Sequence, residues 1–548
     1  MNSKQMKLAV SLATSLSLLW LFGQARDTVV HETNETAGSS QSVIIQGRDT
    51  EAVAHSVTGV GGEITHELGV INAVGARLTP SQLATLRQHD KSLRIFPNSS
   101  VESAGTAGGD ALYVNFPALV DADQVHEEGI TGAGVTVAVL DSGLMYTEEL
   151  QKFEGQSRMA ARYNAINDEL GRTIDKHGHG SHVSSIILNS SRPLSDPDKY
   201  NSIAPAADIV VVKAFNNLGV GTYADVIRGL DWILANKDQH AIQVVNLSFS
   251  AEPSSYYWDD PMNQAVMRLW QAGIVVVASA GNQGSDAMTI GAPGNIPYVV
   301  TVGAMTDNYT PTDPSDDLLA SFSSAGPTVE GFVKPDMVAP GGHMTALTRV
   351  KSTLAKNHPE FHDQEKYFMM SGTSQSAAVV TGIVALMLQH DPYLSTDDVK
   401  CRLMSSSRPA LDSNGELAYS IFQQGAGNVN AYDAVFSSTG GCANVGLDID
   451  MDLAGTFHYG GPANQDEDGN FYIEGLGPDA YMWNNGYMWS NGYMWSNGYL
   501  WSNGYAWSNG YLWNNGYAWS NAYMWNNGYL WSNGLTEPAA VNVWVDQE

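Results

Sequence analysis

Val135-Thr136-Val137-Ala138-Val139-Leu140-Asp141-Ser142-Gly143 is the stretch that decides the fold. A half-buried strand alternates apolar and polar residues. This run is almost continuously apolar and rich in β-branched side chains, so it reads as a strand buried on both faces, the setting of a parallel sheet covered by helices. Gly132-Ala133-Gly134 leads into it and Asp141 closes it. A carboxylate at the carboxyl end of a parallel strand stands where open α/β sheets place their sites. Alone, such an Asp is more commonly a structural cap.

Working outward, the same kind of run recurs at 207–213, 243–250 and 274–280, with amphipathic helices expected over 222–236 and 262–272. Repeated strand–helix–strand units predict an α/β fold with a mostly parallel sheet. The 274–280 run ends at Gly281-Asn282. The Asn282 amide could donate to a developing oxyanion, or it could be an ordinary turn asparagine.

Two more stretches carry chemistry. Asp175-Lys176-His177-Gly178-His179-Gly180-Ser181-His182-Val183 holds three histidines in six residues. No further ligand at a familiar spacing completes a zinc site, so no metal is expected there; one histidine acting as a base fits better. Ser371-Gly372-Thr373-Ser374 opens a stretch without charge that runs to Leu388. A helix apolar on nearly every side belongs inside a large core. Ser374 then sits at a helix start, among unpaired N–H groups that favour negative charge. It reads either as an N-cap or as a nucleophile whose own N–H faces the oxyanion.

Val137-Ala138-Val139-Leu140-Asp141-Ser142-Gly143, His179-Gly180-Ser181-His182-Val183, Ala280-Gly281-Asn282 and Gly372-Thr373-Ser374 resemble the four signatures of the subtilisin-like serine peptidases, in that family's chain order. The order Asp, His, Ser separates it from chymotrypsin-like enzymes and α/β-hydrolases. Ser202-Ile203-Ala204-Pro205, the stretch from Ala320 to Pro327, Lys334-Pro335-Asp336-Met337 and the stretch from Gly425 to Ala431 resemble further family segments, so the likeness covers about 112–437. It implies a subtilisin-like mostly parallel sheet flanked by helices. It also implies a serine endopeptidase acting on polypeptides through an acyl-enzyme, with no cofactor for the chemistry. Ser374 would be the nucleophile, His179 its base, Asp141 the group that holds the imidazole, and Asn282 an oxyanion donor. Ser248-Phe249-Ser250 and Ala278-Ser279-Ala280 would wall the pocket for the residue before the cut, and Gly219-Val220-Gly221 would be an edge strand pairing with substrate.

The sequence also departs from the family. Gln375-Ser376-Ala377-Ala378-Val379 replaces the usual Met-Ala, small residue, Pro-His, at positions that pack the helix. Ser250 stands where the family usually has Gly, which leaves specificity open. The stretch from Asn189 to Asn201 differs from the family's calcium loop, so no calcium site is carried over, and a structural calcium is left without support.

The remaining parts flank this domain. Lys4 and Lys7 precede an apolar run from Leu8 to Phe22, with small residues following: a signal peptide over 1–25 and a secreted protein. Residues 26–110 read as a small α+β unit ending in a Gly/Ala linker, and the part from Val43 to Pro97 resembles the inhibitor pro-segment of such enzymes. Its helix opens with Thr79 as cap and Pro80 at the first position. The domain itself is expected over 111–437, an acidic Gly-rich linker over 438–480, and a tail over 535–548. Asp466-Glu467-Asp468-Gly469-Asn470 lacks the downstream glutamate of a calcium loop and reads as a solvated turn.

Between linker and tail, 481–534 is nine copies of Tyr-x-Trp-Ser/Asn-Asn-Gly, the seventh ending in Asn521-Ala522. Asn-Gly favours tight turns, and Tyr and Trp two apart share a strand face, so aromatic ladders are expected. They could bind cell wall or glycan, bind one another, or serve as a stalk; surface association is favoured. This opens a rival reading, an adhesin whose protease-like domain is a non-catalytic scaffold.

The net charge of −30 argues against nucleic acid as a partner. The two cysteines, Cys401 and Cys442, lie 41 positions apart. In an exported chain a disulfide is expected, worth ~4 kcal/mol in the loop-entropy picture; the alternative is two buried thiols.

Overall fold

The computed structural model describes residues 40–474 apart from 99, 104–105, 108–115, 153–156, 193–197 and 311–315. The leader at 1–25 and the repeats at 481–534 lie outside the described residues.

The first unit is a four-stranded antiparallel sheet. Strands β1 (Gln41–Gln46), β2 (Glu63–Leu68), β3 (Ala73–Leu78) and β4 (Arg94–Pro97) lie in the order β2-β3-β1-β4. Helices Thr50–Gly59 and Pro80–His89 cover it. The second helix starts with a reciprocal cap: the Thr79 hydroxyl accepts from the Gln82 N–H, and the Gln82 side chain accepts from the Thr79 N–H at 2.8 Å. Val43, Ile45, Val53, Val57, Val74, Leu78, Leu83 and Leu86 close a core of their own.

One strand is shorter than the sequence suggests. The apolar run from Val70 to Leu78 reads as one strand, but Gly69–Ile71 is a turn of 3₁₀ helix and Asn72 takes the left-handed conformation at φ 53°, so β3 starts at Ala73. Asn tolerates that region better than most residues. The turn also lets the Val70 N–H donate to Asp231 of the main domain at 2.9 Å. The unit docks on two helices, Tyr223–Ala235 and Pro261–Gln271. Arg228 donates to the Thr65 carbonyl at 2.6 Å, and Gln46 donates to Gln264 at 2.6 Å. His66 Nε2 lies 3.0 Å from Asp225.

The stretch expected as a linker does not simply span a gap. Its flanks form β5 (Ser100–Ser103) and β6 (Thr106–Ala107), both paired with the main domain.

The main domain is built on a nine-stranded sheet. Its members are β7 (Thr136–Asp141), β8 (Met159–Asn164), β9 (Glu169–Leu170), β10 (Asp208–Lys213), β12 (Ile242–Leu247), β14 (Val275–Ser279), β15 (Val300–Thr306), β16 (Leu318–Leu319) and β17 (Met337–Pro340). The order is β16-β15-β14-β12-β7-β10-β8-β9, with β17 on β15. Every pairing is parallel except β8 with β9 and β15 with β16. Two short strands, β11 (Val220–Thr222) and β13 (Phe249–Ser250), flank β5, while β18 (Met344–Leu347) and β19 (Tyr367–Ser371) form a second small sheet with β6.

Against the sheet lies the Thr373–His390 helix, buried from Thr373 to Leu388. That burial explains the missing charge: an unpaired ion in such a place would be desolvated without compensation.

The domain continues past its expected end. The stretch that reads as an acidic linker is folded over its described part, 438–474. It carries the Ile449–Leu453 helix and the hairpin β20 (Ala463–Gln465) with β21 (Phe471–Ile473). Asp452, 2% exposed, accepts from the hydroxyls of Tyr257 at 2.5 Å and Tyr298 at 3.0 Å. His458 stacks on Trp258 at 4.7 Å. The acidic turn closes the hairpin, with Asp466 accepting from the N–H groups of Asp468 and Asn470. Cys401 and Cys442 are joined by a disulfide, with Cα atoms 5.2 Å apart. No helix among the described residues is long and apolar enough to cross a membrane.

Candidate active site

The parallel sheet delivers Asp141 as the last residue of β7, 1% exposed. The next loop returns to start the His179–Leu188 helix. Its first residue places Nδ1 2.9 Å from both carboxylate oxygens of Asp141. Two glycines make this approach feasible. Gly178, at φ 114°, turns the chain into the helix. A Cβ on Gly180 would stand 2.4 Å from the Gly143 carbonyl and 3.1 Å from Asp141 Oδ1.

Asp175 ties the two loops together, although no role for it was read from the sequence. One oxygen accepts from the Ser142 hydroxyl at 3.0 Å and the Gly178 N–H at 2.8 Å. The other accepts from the Ser181 N–H at 2.8 Å and hydroxyl at 2.7 Å. The signal available was an Asp just before a helix start, facing orphan N–H groups.

The other two histidines do not join His179. His182 is fully buried and its Nε2 donates to the carbonyls of Met344 and Phe368, at 3.1 and 3.0 Å. Burial, then the nearby His179, pushes its pKa down to about 3, so it stays neutral. His177 is also buried, which lowers its pKa to about 4. Its ring lies against the backbone of Gly219. Among the described residues no group of three or more His, Cys, Asp or Glu is placed to hold a metal ion.

Ser374 lies in the first turn of the buried helix, with its hydroxyl donating to the Ser248 carbonyl at 3.0 Å. Asn282 stands beside it. Its Oδ1 accepts from the Thr373 N–H at 3.0 Å and hydroxyl at 2.8 Å. Those bonds fix the amide and leave its N–H groups facing away from Thr373. Gln375 and Ser376, the departures after the serine, are buried; Ser376 donates to the Ala339 carbonyl at 3.0 Å.

The cleft has two edges. β11 and β13 bracket β5, both antiparallel to it, with Glu102 opposite both Val220 and Ser250. Gly219 turns into β11 at φ 78°. The wall segments touch through Ser279, whose hydroxyl donates to the Phe249 carbonyl at 3.0 Å, between buried Ala278 and Ala280. Ser250 has room because a glycine faces it: a Cβ on Gly291 would fall 1.8 Å from its hydroxyl. Beyond Ser374, the chain at Thr106–Ala107 pairs with Met370 and Ser371.

Comparison with known proteins identifies the family. The Subtilase family matches residues 132–428. The chain is 35% identical to serine protease AprX of Bacillus subtilis over 373 residues, covering 67% of this chain and 79% of that one. It is 28% identical to subtilisin E of Bacillus subtilis over 420 residues, covering 74% and 94%. The crystal structure of fervidolysin from Fervidobacterium pennivorans superposes with a TM-score of 0.57 at 23% identity, over 74% of this chain and 62% of that one, a likeness of fold. The chain belongs to the subtilase family and is a subtilisin-like serine endopeptidase.

Proposed function

We propose that this endopeptidase works through Ser374, His179, Asp141 and Asn282, and that it is an exported precursor restrained by its own N-terminal unit. Ser374 Oγ attacks the scissile carbonyl while His179 takes its proton and returns it to the leaving amine. Asp141, bonded to Nδ1, holds the tautomer in which Nε2 acts as the base and stabilises the imidazolium. Attack requires the Ser374 hydroxyl to leave the Ser248 carbonyl, a rotation about one side-chain bond. The oxyanion meets the Ser374 N–H and the Asn282 amide. Losing one such side-chain donor costs about 10²–10³ in kcat, a figure established on a subtilisin. Water then repeats the sequence on the acyl-enzyme.

One observation carries this reading. The chain lies as a third strand between β11 and β13 over Ser100–Ser103 and pairs with Met370–Ser371 over Thr106–Ala107, so on either side of the nucleophile turn it has the extended form a substrate needs. Residues 26–110 would therefore act as substrate mimic and inhibitor, and β11 and β13 would grip polypeptide substrates in the same way. The 1–25 leader favours secretion. The 481–534 repeats would add attachment to wall, glycan or another copy.

The test is labelling by a fluorophosphonate probe of the secreted wild type and of Ser374→Ala. Labelling of wild type alone supports the assignment. An unlabelled wild type, freed of the N-terminal unit, would reject it.

A further inference from the structure

A second His–Asp pair lies beside the nucleophile turn, and the reaction described above does not use it. His343 is 3% exposed, and its Nε2 meets Asp307 Oδ1 in a short contact. The Tyr309 ring stacks on the imidazole at 3.9 Å, nearly parallel. The backbone here is unusual: His343, Asn308 and Tyr309 have φ of 35°, 47° and 62°. Left-handed non-glycine residues and buried charges are both unfavourable unless their surroundings demand them, and they gather where position matters.

What this loop positions is visible in its hydrogen bonds. Gly341 and Gly342 donate to the Met305 carbonyl, at 2.9 and 3.1 Å. The Gly341 carbonyl accepts from the Gly372 N–H at 2.9 Å. The His343 N–H donates to the Ser371 hydroxyl at 2.7 Å. Met344 then opens β18, paired with Met370 of β19. The loop therefore braces Ser371 and Gly372, immediately before Thr373-Ser374. Ser371 is also opposite Thr106, on the side of the cleft that receives the chain after the cut.

We propose that His343, locked by Asp307 and Tyr309, is a positioning residue for the leaving-group side of the cleft. It sets the edge at Met370–Ser371 on which the residues after the scissile bond pair. The favoured substrates are then polypeptides extended at least two residues beyond the cut, rather than short esters or anilides. This rests on Ser374 being the nucleophile. Removing the imidazole frees the left-handed loop, loosens the Ser371 hydroxyl and weakens pairing on that side alone.

The test compares two substrates with one acyl half. One is a peptide p-nitroanilide; the other is an internally quenched peptide with three residues after the cut. The enzymes are wild type, Asp307→Asn and His343→Gly, the last keeping the backbone conformation accessible. The variants should lose about tenfold or more in kcat/KM on the extended peptide, mostly through KM, and less than about threefold on the anilide. Equal losses on both substrates, or none on either, would overturn the proposal. If a variant is not recovered folded, Tyr309→Leu removes only the stacked ring and is read the same way. Fluorophosphonate labelling keeps the two ideas apart: an unlabelled wild type refutes the nucleophile, whereas labelled variants without a substrate split refute the brace.

Discussion

Ser374 and Ser248 hold each other. The Ser374 hydroxyl donates to the Ser248 carbonyl at 3.0 Å, and the Ser248 hydroxyl donates to the Ser374 carbonyl at 2.9 Å. The chain of bonds runs deeper: Asn246 Nδ2 donates to Ser248 Oγ at 2.8 Å, and Thr381 donates to Asn246 Oδ1 at 2.9 Å. The first turn of the buried helix is thus anchored to the end of β12 without an ion.

Ser248→Ala cuts this chain in the middle: the Ser374 carbonyl keeps only its helical partner, and the Asn246 amide loses its acceptor. Leaving buried polar groups unsatisfied costs about 1–3 kcal/mol each. The variant should unfold at lower urea and label more slowly with the fluorophosphonate. Unchanged stability and labelling would show that the anchor is dispensable.

If the precursor cuts itself, the register of the strands predicts where. Ser103 pairs with Phe249 on one side of the nucleophile turn, and Thr106 pairs with Ser371 on the other. The cut should therefore fall after Ser103, Ala104 or Gly105. The N-terminus of the mature enzyme, read by sequencing, should lie within Ala104 to Thr106, and Ser374→Ala made alone should keep its N-terminal unit. A mature N-terminus outside this window, or normal processing of Ser374→Ala, would rule out cleavage in place.

These strands also show where the sequence stopped being readable. Strands β7, β10, β12 and β14 of the large sheet were legible because burial on both faces demands long β-branched runs, as at Val137 to Leu140; β8, β15 and β17 were not read. Asp141, His179 and Ser374 could be picked out because each ends a strand or opens a helix. β5 and β6 were not legible: backbone pairing holds them to the domain, and the local Gly, Ala and Ser residues have little strand propensity of their own. The 438–480 segment misled for a related reason. Its buried anchors, Asp452, Tyr459 and Ile473, are few among acidic residues, and the partners of Asp452, Tyr257 and Tyr298, are far away in sequence. A charged residue that caps two buried phenols looks, in sequence, like any other charge.

Ser250 should restrict the residue accepted before the cut. A Cβ on Gly281 would lie 3.0 Å from its hydroxyl and one on Gly291 would lie 1.8 Å from it, so the hydroxyl occupies space between the two wall segments. Ser250→Gly should raise kcat/KM for a large aromatic residue relative to alanine at that position. The expected change is about tenfold, the scale of small steric changes in an apolar pocket. An unchanged ratio in an anilide series would show that Ser250 points away from the bound side chain.

Glu330 should make stability fall as pH rises. It is 2% exposed, with one oxygen accepting from the Tyr257 N–H at 2.6 Å and the other buried without a partner. Burial pushes its pKa up to about 7, against 4.5 in the open chain. The folded state therefore binds this proton more tightly than the unfolded state does. The stabilisation is complete below pH 4.5 and is lost as pH rises through about 7, a difference on the order of 3 kcal/mol. Asp260, also raised by burial to about 6, acts in the same direction at lower pH, while buried His177, lowered to about 4, opposes it between pH 4 and 6.5. Buried Lys334, lowered to about 7 against 10.5 in the open chain, opposes it from about pH 7 upward, so the Glu330 contribution is read as a difference between two proteins. Urea midpoints are measured from about pH 4.5 to 8 on Ser374→Ala, which avoids autolysis, and on Ser374→Ala/Glu330→Gln. Relative to the double variant, Ser374→Ala should lose stability as pH rises, because an amide keeps the hydrogen bond and carries no charge to desolvate. The same slope in both proteins would mean that Glu330 is already ionised in the fold, with its buried charge compensated by some other group.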